Sequence, residues 1–212
     1  MSSRSILAVA GLDQTTEVFR RRLLELANRH GWDVDAIATV ISVESGFRAA
    51  IKNPDPRATA VGLLQFTAAT LRRLGFLGTR DDFSRLSAEA QLPFVERYFV
   101  EAERGGKLLR PVDYYLVVWG VRAGLPDSEV LAARDGPNPQ TFDMNKSLDV
   151  NNDGVIHVSD LRRRIETQMA RAKGRLEIPA APGNFGSRVL FPVAVLYAGY
   201  ELVKAIRRRR SA

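Results

Sequence analysis

The sequence predicts a mainly α protein, and three observations carry that expectation. Apolar residues recur at helical spacing in successive segments that open on Ser, Thr or Asp, and most of these close on glycine. No alternation of apolar and polar residues persists long enough to announce a half-buried strand. The composition, 45% apolar and 26% charged over 212 residues, is that of a globular chain of one ordinary domain with a short appendage.

The elements follow in order. Phe19, Leu23, Leu26 and Ala27 share one face of a helix from Thr16 to His30, closed by Gly31. Asp33 or Asp35 caps a second helix through Ile37, Val40, Ile41 and Glu44, ending at Gly46. A loop containing Asn53-Pro54-Asp55-Pro56 follows. Thr67 caps a third helix over 68–74, stopped by Gly75, and Ser87 caps a fourth carrying Leu92, Val95, Tyr98 and Phe99. The apolar stretch Tyr114 to Val121 fits a buried helix or a strand, and its context favours helix. A last amphipathic helix holds Leu161, Ile165, Met169 and Ala172 and stops at Gly174.

Composition also excludes chemistry. With no cysteine there is no disulfide, thiol nucleophile, iron–sulfur cluster or cysteine-based zinc site. Two histidines, His30 and His157, make a histidine-rich metal centre unpromising, and no G-x-S-x-G elbow accompanies them. Carboxylates are left as the reactive groups. The net charge of +7 includes four consecutive arginines at 207–210, so the body is only mildly basic. Such an end suits a polyanionic surface without sequence specificity, and no specific nucleic-acid contact is expected. The apolar run Ile6 to Ala10 is shorter than a secretory signal requires, and none is expected.

Glu44 is the oddity. It stands at i+7 from Ile37 and i+3 from Ile41, on the stripe that should face the core. It also lies in the last helical turn, beside the negative end of the backbone dipole. Both circumstances disfavour the ionised form and keep a carboxylic acid protonated towards neutral pH, as a general acid requires. The blander alternative is a glutamate at the core rim paired with an arginine such as Arg48.

The residues that follow decide between them. Glu44-Ser45-Gly46-Phe47, Asn53-Pro54, and Ala58-Thr59-Ala60-Val61-Gly62-Leu63-Leu64-Gln65-Phe66 with Thr70 resemble the lytic transglycosylase family with its lysozyme-like fold. Gln91-Leu92, Tyr98-Phe99, Asp113-Tyr114-Tyr115, Asn145 and the run from Leu148 to Ile156 resemble its phage tail- or virion-associated branch. The resemblance implies peptidoglycan as substrate and Glu44 as the single catalytic residue. That residue would protonate the glycosidic oxygen between N-acetylmuramic acid and N-acetylglucosamine, then take the proton of the muramoyl 6-hydroxyl, leaving a 1,6-anhydro end. Ser45 and Gln65 would hydrogen-bond the sugar or orient the acid, and Gly62 would let the backbone approach it. Many relatives carry an A-Y-N-A-G motif whose tyrosine serves the acid. Here the corresponding stretch is Val117-Val118-Trp119-Gly120-Val121, so Tyr98 or Tyr115 would serve instead. Catalysis would need no cofactor.

Asp149, Asn151, Asp153, Gly154 and Ile156 fall at positions 1, 3, 5, 6 and 8 of an EF-hand loop, with the Val155 carbonyl at 7 and Asp160 at 12. The loop 149–160 reads as a structural calcium site, or as an Asx-rich turn that caps the next helix. Pro137 and Pro139 leave the entering helix short or absent.

The expected organisation is a lysozyme-like domain over 1–176, a linker over 177–188, and an apolar, basic tail over 189–212 that contacts a membrane or virion and tail proteins. The expected function is cleavage of peptidoglycan glycan strands by a virion-associated enzyme. The alternatives are a goose-type lysozyme, which uses water as nucleophile, and a non-catalytic wall-binding virion protein.

Overall fold

The computed structural model describes residues 4–52 and 60–179. In chain order these form β1 (Ser5–Leu7), α1 (Glu17–His30), α2 (Val34–Ser45), α3 (Ala68–Arg73), α4 (Arg80–Ser84) and α5 (Ala88–Ala102). There follow α6 (Pro111–Val118), β2 (Val130–Ala133), α7 (Pro139–Asn145), β3 (Val155–His157), α8 (Val158–Ala170) and β4 (Arg175–Glu177). The fold is mainly α, as the helical periodicity predicts for a lysozyme-like domain.

The caps explain the boundaries. The Thr16 hydroxyl accepts the Phe19 N–H at 2.9 Å, and Gly31 closes α1 in the left-handed region. Asp33 caps α2 by accepting the Asp35 and Ala36 N–H groups. Asp35, the other candidate cap, turns outward. It accepts the Leu7 N–H at 2.8 Å and pairs with Arg175 at 2.7 Å, tying β1, α2 and β4 together. The helix α4 escaped the sequence reading because it is one turn long, yet Thr79 and Asp82 form a reciprocal capping box around it. The stretch read as a helix over 114–121 begins earlier, at Pro111, whose missing N–H costs nothing at the first helical position.

The central helix is α2, which packs against α1, α6, α8 and β1. Every residue from Ala36 to Ile41 is buried, so the helix is apolar around most of its girth. Residues Val112 to Val117 of α6 are buried as well, and α8 lies against both. Asp113, 1% exposed, accepts N–H groups from Leu109, Arg110 and Gly124 and pairs with Arg110 at 2.8 Å, fixing the start of α6. These bonds hold its carboxyl below the usual range despite burial. A train of edge-on rings, Phe66, Phe76, Phe83, Phe94, Tyr98 and Phe99, packs the 61–66 turn and α4 against α5.

Two two-stranded antiparallel sheets supplement the helices, although no sequence alternation announces them. Strands of three or four residues are too short to show a period. One sheet pairs Ser5 with Glu177, so the first and last described segments meet. Ile6 is fully buried, which makes the N-terminal apolar run part of the core. Glu177 and Ile178, which composition places in a linker, belong to this body: Glu177 is in β4, and Ile178 is buried and donates its N–H to Arg4. The Asn53-Pro54 turn, Ala58-Thr59, the linker from residue 180 onward and the tail lie outside the described residues. Among the described residues no helix is long and apolar enough to cross a membrane.

Candidate active site

Glu44 is the penultimate residue of the buried helix α2, in its last turn, at a place built for a helix stop. Gly46 and Phe47 both adopt left-handed backbone, φ 57° and 63°, turning the chain sharply. Glycine does this freely, whereas Phe47 is held there by burial, with its ring packed edge-on to Phe19 at 5.9 Å. The consequence is a fixed helix end that leaves Glu44 half-buried.

Burial pushes the Glu44 carboxyl up from an ordinary 4.5 to about 7, against the opposing charge of Arg164. Among the described residues the carboxylate accepts no hydrogen bond and joins no ion pair. Arg48 does not pair with it, because the Arg48 Nε donates to the Ser45 carbonyl at 3.0 Å. An acid in this setting carries its proton near neutral pH and has no hydrogen-bond partner among the described residues to give it to. It can serve as a general acid and then, once ionised, as a base.

Three helices supply the surroundings. Tyr98 comes from α5 and Tyr115 from α6, and both hydroxyls are pushed up to about 12, first by burial and in each case also by the Glu44 charge. Both hydroxyls feel the Glu44 charge and stay neutral at any working pH. The Tyr98 hydroxyl donates to the Val117 carbonyl. Arg164, from α8, is the charge that opposes burial at both Glu44 and Tyr115. No motif points to Arg164. Only the packing of α8 against α2 and α6 brings it to the site.

The other residues expected at the site take structural places. Ser45 is 2% exposed and its hydroxyl donates to the Ile41 carbonyl at 3.1 Å, inside its own helix. Gln65, at φ 49°, folds its amide back onto the Gly62 carbonyl at 2.9 Å and braces the turn in which Val61 and Phe66 exchange backbone hydrogen bonds. Gly62 is required by packing on the side where a side chain would stand. At φ 80° it lies against Gln91 and Phe83, where a side chain would collide. Gln91 is fully buried, accepts the Leu63 N–H at 2.9 Å and donates to the Ala49 carbonyl at 2.8 Å. It thereby clamps the segment after Glu44 to the 62–63 turn.

The calcium-like loop closes on itself. Asp149 accepts the Asp153 and Gly154 N–H groups at 3.2 and 3.0 Å, and Asp153 accepts the Val155 N–H and the Asn151 amide at 2.8 and 2.7 Å. Asn152 and Gly154 are left-handed, and Val155 enters β3 opposite Ala133. Asp160 accepts the His157 N–H at 2.9 Å, which makes it a helix-capping group at the start of α8. Asp149 and Asp160 are 7% and 3% exposed, and their bonds are to backbone N–H groups. An all-oxygen set of this kind suits a hard cation. Among the described residues no three His, Cys, Asp or Glu side chains are grouped so as to hold a metal ion. The entering helix is short, as its prolines predict, with Pro139 in its first turn.

No curated protein matches the chain. Residues 23–91, about a third of it, match the family model described as Transglycosylase SLT domain. That segment contains Glu44, Ser45, Gly62, Gln65 and Gln91, whereas Tyr98, Tyr115 and Arg164 lie beyond it. The match supports the lytic transglycosylase family that the Glu44-Ser45-Gly46-Phe47 motif resembles, with peptidoglycan as the substrate it implies.

Proposed function

We propose that this protein is a peptidoglycan lytic transglycosylase in which Glu44 acts as both acid and base. The observation that carries the reading is the state of Glu44: half-buried, without a hydrogen-bond or ion-pair partner among the described residues, and pushed up by burial to about 7. The one-acid route, in place of the usual pair of carboxylates, is what the resemblance of the Glu44-Ser45-Gly46-Phe47 motif implies. The protonated acid gives its proton to the glycosidic oxygen as the C1–O bond breaks. The resulting carboxylate takes the proton of the muramoyl 6-hydroxyl, whose oxygen closes on C1. No water is consumed, and the strand ends in a 1,6-anhydro sugar. Tyr98 and Tyr115 are neutral groups within reach of the Glu44 charge.

The finer reading is that the enzyme acts on the wall from a virion. Its support is the resemblance of the blocks from Gln91 onward to the tail-associated branch, together with a basic, apolar stretch over 189–212 suited to docking on a virion protein or an anionic membrane. A structural calcium at the 149–160 loop belongs to the same proposal, supported by the spacing of its oxygen ligands.

The test is digestion of purified sacculi followed by mass analysis of the released ends. Anhydromuramic ends support the transglycosylase. Reducing ends indicate the hydrolytic, goose-type reaction on the same scaffold, and binding without release indicates a wall-binding protein.

A further inference from the structure

A cleft of about 340 Å³ lies against the 46–48 turn that ends α2. Residues of the 11–16 segment ahead of α1, of the 46–48 turn and of the first turn of α5 line it. The fold holds these segments in fixed relation. Gly11 has left-handed backbone, φ 87°, and a side-chain carbon on it would stand 2.9 Å from the Gly46 carbonyl oxygen. The Ser42 hydroxyl donates to the Ala10 carbonyl at 2.7 Å, pinning the first segment to α2. The Thr16 hydroxyl, which caps α1, also donates to the Glu89 carboxylate at the start of α5.

Two opposite charges line this cleft. Arg48 is exposed, and its Nε donates to the Ser45 carbonyl at 3.0 Å. Among the described residues its two terminal nitrogens have no hydrogen-bond or ion-pair partner. A guanidinium anchored at Nε in this way presents those nitrogens to a carboxylate through charge-assisted bonds. The Thr16 hydroxyl holds the Glu89 carboxyl below its usual range, so Glu89 stays ionised, and it joins no ion pair among the described residues.

We propose that this cleft is a subsite for the peptide stem of peptidoglycan, with Arg48 taking a carboxylate of the peptide and Glu89 its free amine. The inference rests on the reading of peptidoglycan as the substrate and adds what the chain recognises besides the sugars. The stem hangs from the lactyl group of N-acetylmuramic acid, the sugar whose C1–O bond the acid breaks. Gly46 is two residues beyond Glu44, so their α-carbons lie within about 7 Å of each other. Two or three extended peptide residues, at about 3.3–3.6 Å each, span such a distance. The stem combines carboxylates, an amine and methyl side chains. The cleft offers a cation, an anion and the apolar surface of Phe47 and Ala88. Gly11 and Gln14 precede the matched segment 23–91, so the cleft joins a part of the chain outside the family match to the turn beside the acid.

The experiment is a titration of the full chain with the synthetic stem peptide L-Ala-γ-D-Glu-L-Lys-D-Ala-D-Ala, followed by backbone amide NMR. In wild type the signals of Gly11, Gln14, Gly46 and Arg48 are expected to shift together and saturably. Arg48→Gln and Glu89→Gln are each expected to weaken binding about tenfold. The Glu89→Gln exchange keeps an oxygen to accept the Thr16 hydroxyl, and circular dichroism checks that both variants are folded. Modified peptides give the same answer on the unaltered protein. Acetylating the lysine amine should weaken binding to wild type by a similar factor and leave Glu89→Gln no weaker than before. Amidating the carboxylates should do the same with respect to Arg48→Gln. No saturable shift of these signals at several millimolar peptide overturns the proposal. Binding that the acetylated and amidated peptides reproduce unchanged, or shifts confined to other signals, also overturns it. The titration involves no cleavage, so its failure leaves the role of Glu44 to the digestion of sacculi, and failure there leaves the binding result standing.

Discussion

Gly62 lies so close to Gln91 that a methyl group on its α-carbon would stand 2.5 Å from the Gln91 Oε1 and 2.7 Å from a Phe83 ring carbon. The contact joins the 61–66 turn to α5 through an amide that is fully buried. Gly62→Ala therefore meets two obstacles, the crowding and the left-handed φ of 80°. The expected cost is roughly 2–5 kcal/mol of folding stability. Denaturant unfolding measures it, and a change below about 0.5 kcal/mol, the range of an ordinary surface substitution, would show that the turn adapts.

Glu44→Gln should stabilise the protein in a pH-dependent way. An acid whose folded pKa is raised contributes stability that is complete below its unfolded value and is lost as pH climbs through the folded value. For Glu44 that window runs from 4.5 to about 7. Above it the wild type bears the ionisation penalty and the glutamine variant does not. The variant should gain on the order of 1–3 kcal/mol at pH 8 relative to wild type, and little at pH 4. Unfolding curves at the two pH values report it. A gap that does not change with pH contradicts the shift.

Much of this was legible in the sequence where a local rule governs. Thr16, Asp33, Thr67 and Ser87 cap helices as their residue types predict. Glu44 betrayed itself by standing on an apolar stripe, and the structure gives the pKa rise that placement implies. The neighbours of the acid were less legible, because they arrive by tertiary packing. Arg164 is one of many arginines, and its position depends on where α8 lies. Ser45 and Gln65 read as substrate contacts in a motif, and the side-chain bonds they make among the described residues are internal to the fold. A motif records which residues travel together without distinguishing those that touch substrate from those that hold the wall. The short strands left no trace, since their pairing follows from chain ends and turns meeting in space.

The calcium proposal has its own test. Adding calcium to wild type should raise the melting temperature, because a ligand bound only to the folded state stabilises it by mass action. Asp149→Ala with Asp153→Ala should abolish the rise. Since both carboxylates also accept loop N–H groups, the double variant should melt lower even in chelator. Identical melting of wild type in calcium and in chelator would make the loop an Asx-rich turn alone.

Removal of everything beyond Pro182 should leave the melting temperature and the cleavage of soluble glycan unchanged. The β1–β4 pair and the buried Ile178 are kept by this truncation. Flotation with anionic liposomes should separate the two forms, with the full chain binding and the truncated one not. A truncated protein that unfolds or loses activity would place the tail in the core.

The most direct test is the digestion of sacculi by wild type and Glu44→Gln side by side, both confirmed as folded. The exchange keeps the shape and removes the transferable proton, which as positioned acid–base chemistry is worth roughly 10²–10⁴-fold. Wild type is expected to release anhydromuropeptides while the variant binds the wall and releases none above background. Release by Glu44→Gln within a few-fold of wild type would contradict the assignment of Glu44 as the catalytic acid.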